Sequence, residues 1–262
     1  MSNIAKPNVT RTLLRWLPPL VLVCLIAGGW EIAVRALHTP DYLLPAPSAI
    51  VSSLVTDRTL LEHATGVTLV EVLLGYAFGV AVALLVATAI HFSRVLRQAL
   101  LPLLVLSQTI PTVIAAPILT ILLGFALAPK VVIVGLVCFF PIVVNAVDGL
   151  RSAEPSQLEL MDSLAATRGA VFRLVAFPTA LPAIFSGARV AATYAAVGAV
   201  FAEWAGSSNG LGFVILQAQP ELETARIFAA VAVVCLIALV LYGAVALVER
   251  IVIPRRGELR HA

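Results

Sequence analysis

Few side chains in this sequence could do chemistry, and they stand far apart in apolar surroundings. Glu71 is the one charge in the run 64–90, and Glu203, followed by Trp204, closes the run 188–203. Gln108, Thr109 and Pro111 put two polar groups and a kink in the uncharged stretch 98–129. Such groups are costly inside hydrocarbon and invite a functional reading. Glu71 either lines a polar path through a helix bundle or finds a partner within it. Glu203 and Trp204 either shape a gate or anchor the chain at a membrane interface. Gln108 and Pro111 either face the path or satisfy local backbone. Asp148 and Arg189 fall at the same ends of two neighbouring runs, and an ion pair between them is expected.

Other chemistry has no residues to carry it. The phosphate-cradling pattern G-x-x-x-x-G-K-[ST] is missing, as are H-E-x-x-H, C-x-x-C and a nucleophile elbow. His38, His63, His91 and His261 are dispersed near loops and termini. Cys24, Cys138 and Cys235 lie in apolar runs without metal-ligand spacing and read as small packed side chains. No catalytic, cofactor or metal site is expected.

The elements that hold these residues follow from composition. Of 262 residues, 61% are hydrophobic and 12% charged, more apolar surface than a soluble domain of this size can hide. A bilayer core of about 30 Å takes about 20 apolar residues in a helix, and its lack of water demands that backbone groups pair within each segment. The chain reads as all-α, with six spans: 16–37, 64–90, a kinked segment within 98–129 (Pro102, Pro111, Pro117), 131–148, 188–203 and 227–248. The basic N-terminal stretch ahead of the first span resembles a signal peptide, but no small-x-small cleavage site interrupts the run to Trp30, and it reads as an uncleaved helix. Of the 17 Lys and Arg, only Arg35, Arg58, Lys130 and Arg226 fall on one side of that topology and the other 13 on the opposite side. The positive-inside rule puts the 13, and both termini, in the cytosol. The net charge of +3 reflects this topology; the bases form no patch suited to nucleic acid.

Between the spans, turn formers from His38 lead to an amphipathic helix over 49–61, lying on the membrane surface or packed on its neighbours. Gly75 and Gly79 give the second span a close-approach spacing, for packing within the chain or against a second copy. Residues 207–212 (Ser-Ser-Asn-Gly-Leu-Gly) read as a turn, and 213–219 as an apolar segment too short to span. The basic tail 250–262 is expected along anionic headgroups.

The polar loop 151–185 faces the cytosol in this topology. Pro155 suits a first helical turn, helix formers run from Ser156 to about Ala166, Thr167-Arg-Gly169 reads as a break, and a second helix starts near Ala170 and meets Pro178 and Pro182. Glu159-Leu-Met161, Ala165 and Val175-Ala-Phe-Pro178 resemble the cytoplasmic signature of ABC importer permeases, E-A-A, three residues, G, nine residues, I-x-L-P. The spacing agrees at every step. Leu160 and Met161 stand in place of alanines and Ala165 in place of the glycine, which puts the bend there in question; Gly169 could supply it instead. Thr179-Ala-Leu-Pro182, Ser186-Gly-Ala-Arg189 and Ala202-Glu-Trp-Ala205 resemble the same family, over about 65–248.

That resemblance implies a single permease domain over 1–262 in a cell inner membrane, with a coupling loop at about 151–187. Glu159, Leu160, Met161, Asp162, Ala165, Arg168, Gly169 and Pro178 are the positions implied to engage a cytosolic ATPase subunit. A second permease copy, as a homodimer, and an extracytoplasmic solute-binding protein are the other implied partners, with the bilayer as solvent. The chain itself lacks an ATPase site and is not expected to be an enzyme. The translocation pathway is expected near Gln108, Pro111, Glu203, Trp204 and Glu71. Residues 198–219 resemble most the branch that handles nitrate, sulfonates, taurine and thiamine-pyrimidine or riboflavin precursors, with 202–205 and Gly210-Leu-Gly212 leaning toward the pyrimidine precursors. The reading from another class is an ATPase-independent secondary transporter or channel; no inverted repeat is evident to support it.

Overall fold

The structure is a computed structural model that describes residues 9–107 and 112–253. All regular structure among the described residues is helical: α1 (Val9–Ala36), α2 (Pro47–Thr56), α3 (Arg58–Phe92), α4 (Arg94–Ser107), α5 (Thr112–Leu123), α6 (Leu127–Leu150), α7 (Pro155–Ser163), α8 (Arg168–Val171), a π-helical turn (Phe172–Ala176), α9 (Phe177–Trp204), α10 (Leu211–Ala218) and α11 (Thr224–Val252). Among the described residues, Arg58–Phe92, Leu127–Leu150, the continuous run Arg168–Trp204 and Thr224–Val252 are long and apolar enough to cross a membrane. The first expected span corresponds to α1, and the third to α4 and α5. Gln108, Thr109 and Pro111 lie outside the described residues, as do His261 and most of the basic tail.

The chain divides into two compact units, Met1–Arg58 with Gln217–Ala229, and Thr59–Leu216 with Ala230–Ala262. In the first, the Glu31 carboxylate accepts the Ser48 backbone N–H at 3.0 Å and its hydroxyl at 2.8 Å. An anion thereby sits in the first turn of α2, where the helix dipole favours it. Trp30 meets Phe228 edge-on at 5.7 Å, and the Thr224 hydroxyl donates to the Tyr42 carbonyl at 2.6 Å. The helix expected over 49–61 is in fact two. It stops at Thr56 because Asp57 turns its side chain to the Ser53 hydroxyl (2.8 Å) and to Arg226 (3.0 Å), and residues 58–61 open α3.

The second unit is held by small residues. A Cβ on Gly79 would meet the Gly135 carbonyl oxygen at 2.7 Å, and one on Gly187 the Pro141 carbonyl oxygen at 2.5 Å. Backbones therefore touch where α3 crosses α6 and where α6 crosses α9. The G-x-x-x-G spacing is used within the chain, since Gly75 is also pressed against Val134. An alanine face of α9 (Ala180, Ala191, Ala195, Ala199, Ala202) is fully buried in the same packing. Opposite faces stay apolar and exposed, as at Leu236, Leu239 and Leu247 of α11, the surface that lipid would solvate. Cys138 is buried as expected; Cys24 and Cys235 instead lie on exposed faces.

Candidate functional site

Two groups of residues stand out in the second unit. The first is the loop after α6. Glu154 is extended (φ −65°, ψ 136°), and Pro155 occupies the first turn of α7, where its missing N–H costs nothing. α7 ends at Ser163, shorter than the stretch 156–166, because Ala165 adopts a left-handed φ of 49°. The Ala166 N–H reaches back to the Met161 carbonyl (3.0 Å) and the Ala165 N–H to that of Asp162 (2.9 Å). This is a Schellman closure with alanine where glycine is usual. The bend thus sits at Ala165 without a glycine, and Gly169 lies inside α8. Thr167 caps α8, its hydroxyl accepting the Ala170 N–H at 3.3 Å.

From Arg168 the chain runs helically to Trp204, so Pro178 and Pro182 do not mark a break. The widened π turn over Phe172–Ala176 closes just before Pro178, the Phe177 N–H bonding to the Phe172 carbonyl, and absorbs the ladder disruption that a proline brings. An aromatic group holds this exit. His91 and Phe92 at the end of α3 lie 5.3 and 5.1 Å from Phe172, which lies 5.8 Å from Phe177. Each such contact contributes about 0.5–1.5 kcal/mol beyond area.

No residue of α7 is buried, although Leu158 and Leu160, and Leu164 after them, are apolar. Glu159, Leu160 and Asp162 are exposed and Met161 is half-buried, while Arg168 opens α8. The loop thus carries exposed leucines among carboxylates.

The second group gathers at the end of the unit where α3 and α6 begin and α9 finishes. Glu71 and Glu203 are 1% and 0% exposed. The Lys130 ammonium donates to Glu71 Oε1 at 2.6 Å and to the Ser207 hydroxyl at 2.7 Å; Glu71 Oε2 is buried with no hydrogen-bond partner. The Thr68 hydroxyl donates to Glu203 Oε1 at 2.6 Å and accepts the Leu211 N–H at 2.9 Å, and the Gly212 N–H donates to Glu203 Oε2. Trp204 donates its indole N–H to the Gly212 carbonyl at 2.9 Å. Two N–H groups of the first turn of α10, unpaired in any isolated helix, are thus taken up by α3 and α9. Glycine is needed beside the carboxylate: Gly210 has φ +114°, and a Cβ there would collide with Glu203. Thr68 and Lys130 did not stand out in the sequence. Lys130 is the lone cation between two apolar runs whose neighbours carry lone acids, which was the available signal. Arg189 pairs with Glu249 of α11 at 3.2 Å rather than with Asp148, because α11 returns an acid to that end of α9.

The family described as binding-protein-dependent transport system inner membrane component matches residues 75–256. The chain belongs to this family. A probable ABC transporter permease from Haemophilus influenzae is 36% identical over 229 residues, 87% of this chain and 94% of that one. The formylaminopyrimidine transport permease ThiX of Halalkalibacterium halodurans is 31% identical, covering 92% and 96% of the two chains. The riboflavin transport system permease RibX of Chloroflexus aurantiacus is 33% identical, covering 90% and 88%. An inward-facing structure of the MetNI methionine ABC transporter shares the fold, with a TM-score of 0.66 over 76% of this permease and 98% of that chain at 17% identity. This chain is a membrane-embedded permease subunit of an ABC importer.

Proposed function

We propose that this permease forms a homodimer in the inner membrane, both termini in the cytosol, and that α7 of each copy docks on a cytosolic ATPase subunit lacking from the chain itself. The whole of 1–262 acts as one permease domain in this reading. ATP binding draws the ATPase subunits together, the paired coupling helices follow, and the bundle alternates between access to the two sides. A small solute is delivered from an extracytoplasmic binding protein. One observation carries this: a short, rigidly closed helix with no buried residue that exposes Leu158, Leu160 and Leu164, an apolar anchor set with the charged rim of a modest interface. Glu159, Leu160, Met161 and Asp162 make the contact; Ala165, Arg168, Gly169 and Pro178 set its angle. Thirteen of the 17 Lys and Arg on the α7 side support the orientation. Gln108, Pro111, Glu203, Trp204 and Glu71 are assigned to the wall of the pathway.

For the solute, we infer an uncharged or weakly charged nitrogen heterocycle, a thiamine-pyrimidine precursor or a riboflavin-like compound. Relatives named for formylaminopyrimidine and riboflavin transport are 31% and 33% identical, against 27% for those named for taurine and aliphatic sulfonates. The alternative within the class is sulfonate, taurine or nitrate. Charge reversal at Glu159 together with Met161→Trp should abolish transport and ATPase co-purification in a folded permease; unchanged transport contradicts the docking. Solute-stimulated ATPase activity with the cognate binding protein, measured across heterocycles and sulfonates, reads the substrate class.

A further inference from the structure

The group at the ends of α3, α6 and α9 accounts for nearly every donor and acceptor it contains, and it does so by reaching into α10. The Thr68 hydroxyl of α3 both donates a hydrogen bond to Glu203 and accepts one from the Leu211 N–H. Glu203 of α9 takes the Gly212 N–H with its other oxygen, and Trp204 closes the same turn from its indole. The strap from α9 to α10 is tied a second time, since Lys130 of α6 holds Ser207 and Glu71 at once. Ser207 in turn donates to the Asn209 carbonyl. The backbone presses so closely on the carboxylate that side chains are excluded at Gly210 and Gly212, the latter also against the Val200 backbone. Glu203 is fully buried with α10 in place, and lifting α10 would take the Gly212 N–H from its Oε2, a loss that costs more for a buried charged group than for a neutral one. At eight residues, α10 is too short to be stable as an isolated helix, and these caps add to the burial of Leu211 and Val214 in holding it.

We propose that Thr68 and Glu203 form a permanent clasp: they are positioning residues that bind α10 to α3 and α9 through the whole transport cycle, so that α10 is carried as one body with those spans and never moves as an independent flap. The idea rests on the alternating-access reading above. It refines the assignment of Glu203 to the pathway wall: Glu203 shapes that wall by holding α10, its Oε1 taking the Thr68 hydroxyl and its Oε2 the Gly212 N–H.

The test uses the assembled transporter, permease with ATPase subunits and binding protein, in nanodiscs. Hydrogen exchange over residues 207–216 is followed by mass spectrometry in the nucleotide-free and vanadate-trapped states. The clasp predicts strong protection at Leu211 and Gly212 that differs less than threefold between states; exchange more than tenfold faster in either state overturns it. Residues 155–163 serve as a separate readout. Their failure to gain protection when the ATPase is added would count against the docking of α7 and leave the clasp result standing. A variant series then asks whether the clasp positions or merely stabilises. Thr68→Val should lower solute transported per ATP hydrolysed at least tenfold with unchanged basal ATPase, and Thr68→Ser, which restores the hydroxyl, should recover most of it. A coupling ratio unchanged or raised in Thr68→Val overturns the proposal. Should Thr68→Val fail to assemble, the exchange measurement on the unaltered transporter decides alone.

Discussion

Lys130→Met tests the buried electrostatics of the permease most severely. Lys130 is 12% exposed, Glu71 is 1% exposed, and they meet at 2.6 Å. The substitution keeps the apolar stem but removes two hydrogen bonds, to Glu71 and Ser207. Besides Lys130, Glu71 faces the Glu203 carboxyl, so the substitution leaves this buried acid without a cation among the described residues. Breaking a buried pair from one side costs about 3–5 kcal/mol, whereas removing both charges together is often neutral. At roughly 2–4 °C per kcal/mol for a chain of this size, the single variant should melt about 6–20 °C lower in detergent micelles. Adding Glu71→Leu to it should recover most of the loss. Such a cycle reports a coupling of about 3 kcal/mol. A Lys130→Met melting point within about 2 °C of the unaltered permease, or a double variant whose losses simply add, refutes the reasoning.

Two other outcomes follow from local geometry. Ala165 holds φ 49°, a conformation that costs an L-residue about 1–2 kcal/mol, while glycine loses about 0.4–1 kcal/mol through the unfolded chain. Ala165→Gly should therefore stabilise the permease by about 0.5–1 kcal/mol, and Ala165→Val should destabilise it; equal melting of all three would contradict the left-handed closure of α7. Asp57 gives a pH dependence. Burial pushes its carboxyl up, but the hydrogen bonds from Arg226 and Ser53 and the charge of Arg226 outweigh this and hold it below its ordinary value. Its contribution to stability is thus complete above the unfolded value near 3.9 and is lost as pH falls through the lower folded value. Thermal melts between pH 6 and pH 3 should show an acid loss that Asp57→Asn makes smaller.

Much of the fold is legible in the sequence because a bilayer demands one thing, helices long and apolar enough to cross it. The runs 64–90, 131–148 and 227–248 reappear as α3, α6 and α11 with a few added residues at each end. Those ends are the polar turns that hydropathy discounts. The run 188–203 is the informative case. It looks short because Arg189 and the prolines at 178 and 182 dilute its start, yet the helix continues back to Arg168. A π turn absorbs Pro178, and Glu249 answers Arg189. Neither compensation can be read from local sequence. The spacing from Glu159 to Pro178 singles out the loop proposed to couple to the ATPase, but only the φ of Ala165 shows that the bend forms without glycine. At the second group, Glu71 and Glu203 are visible as lone charges. Thr68 is not, because a threonine in an apolar helix usually bonds to its own backbone, and its role here depends on Leu211, 143 residues away.

The central claim is that α7 is the surface on which an ATPase moves this permease. A photo-crosslinking residue placed at Leu160, 60% exposed in the permease alone, tests it directly in membranes containing the full transporter. The account predicts a crosslink to the ATPase subunit on the cytosolic side, lost when Met161 is replaced by tryptophan. A Leu160 probe that captures only lipid, or that is labelled from the opposite side of the membrane, would contradict it.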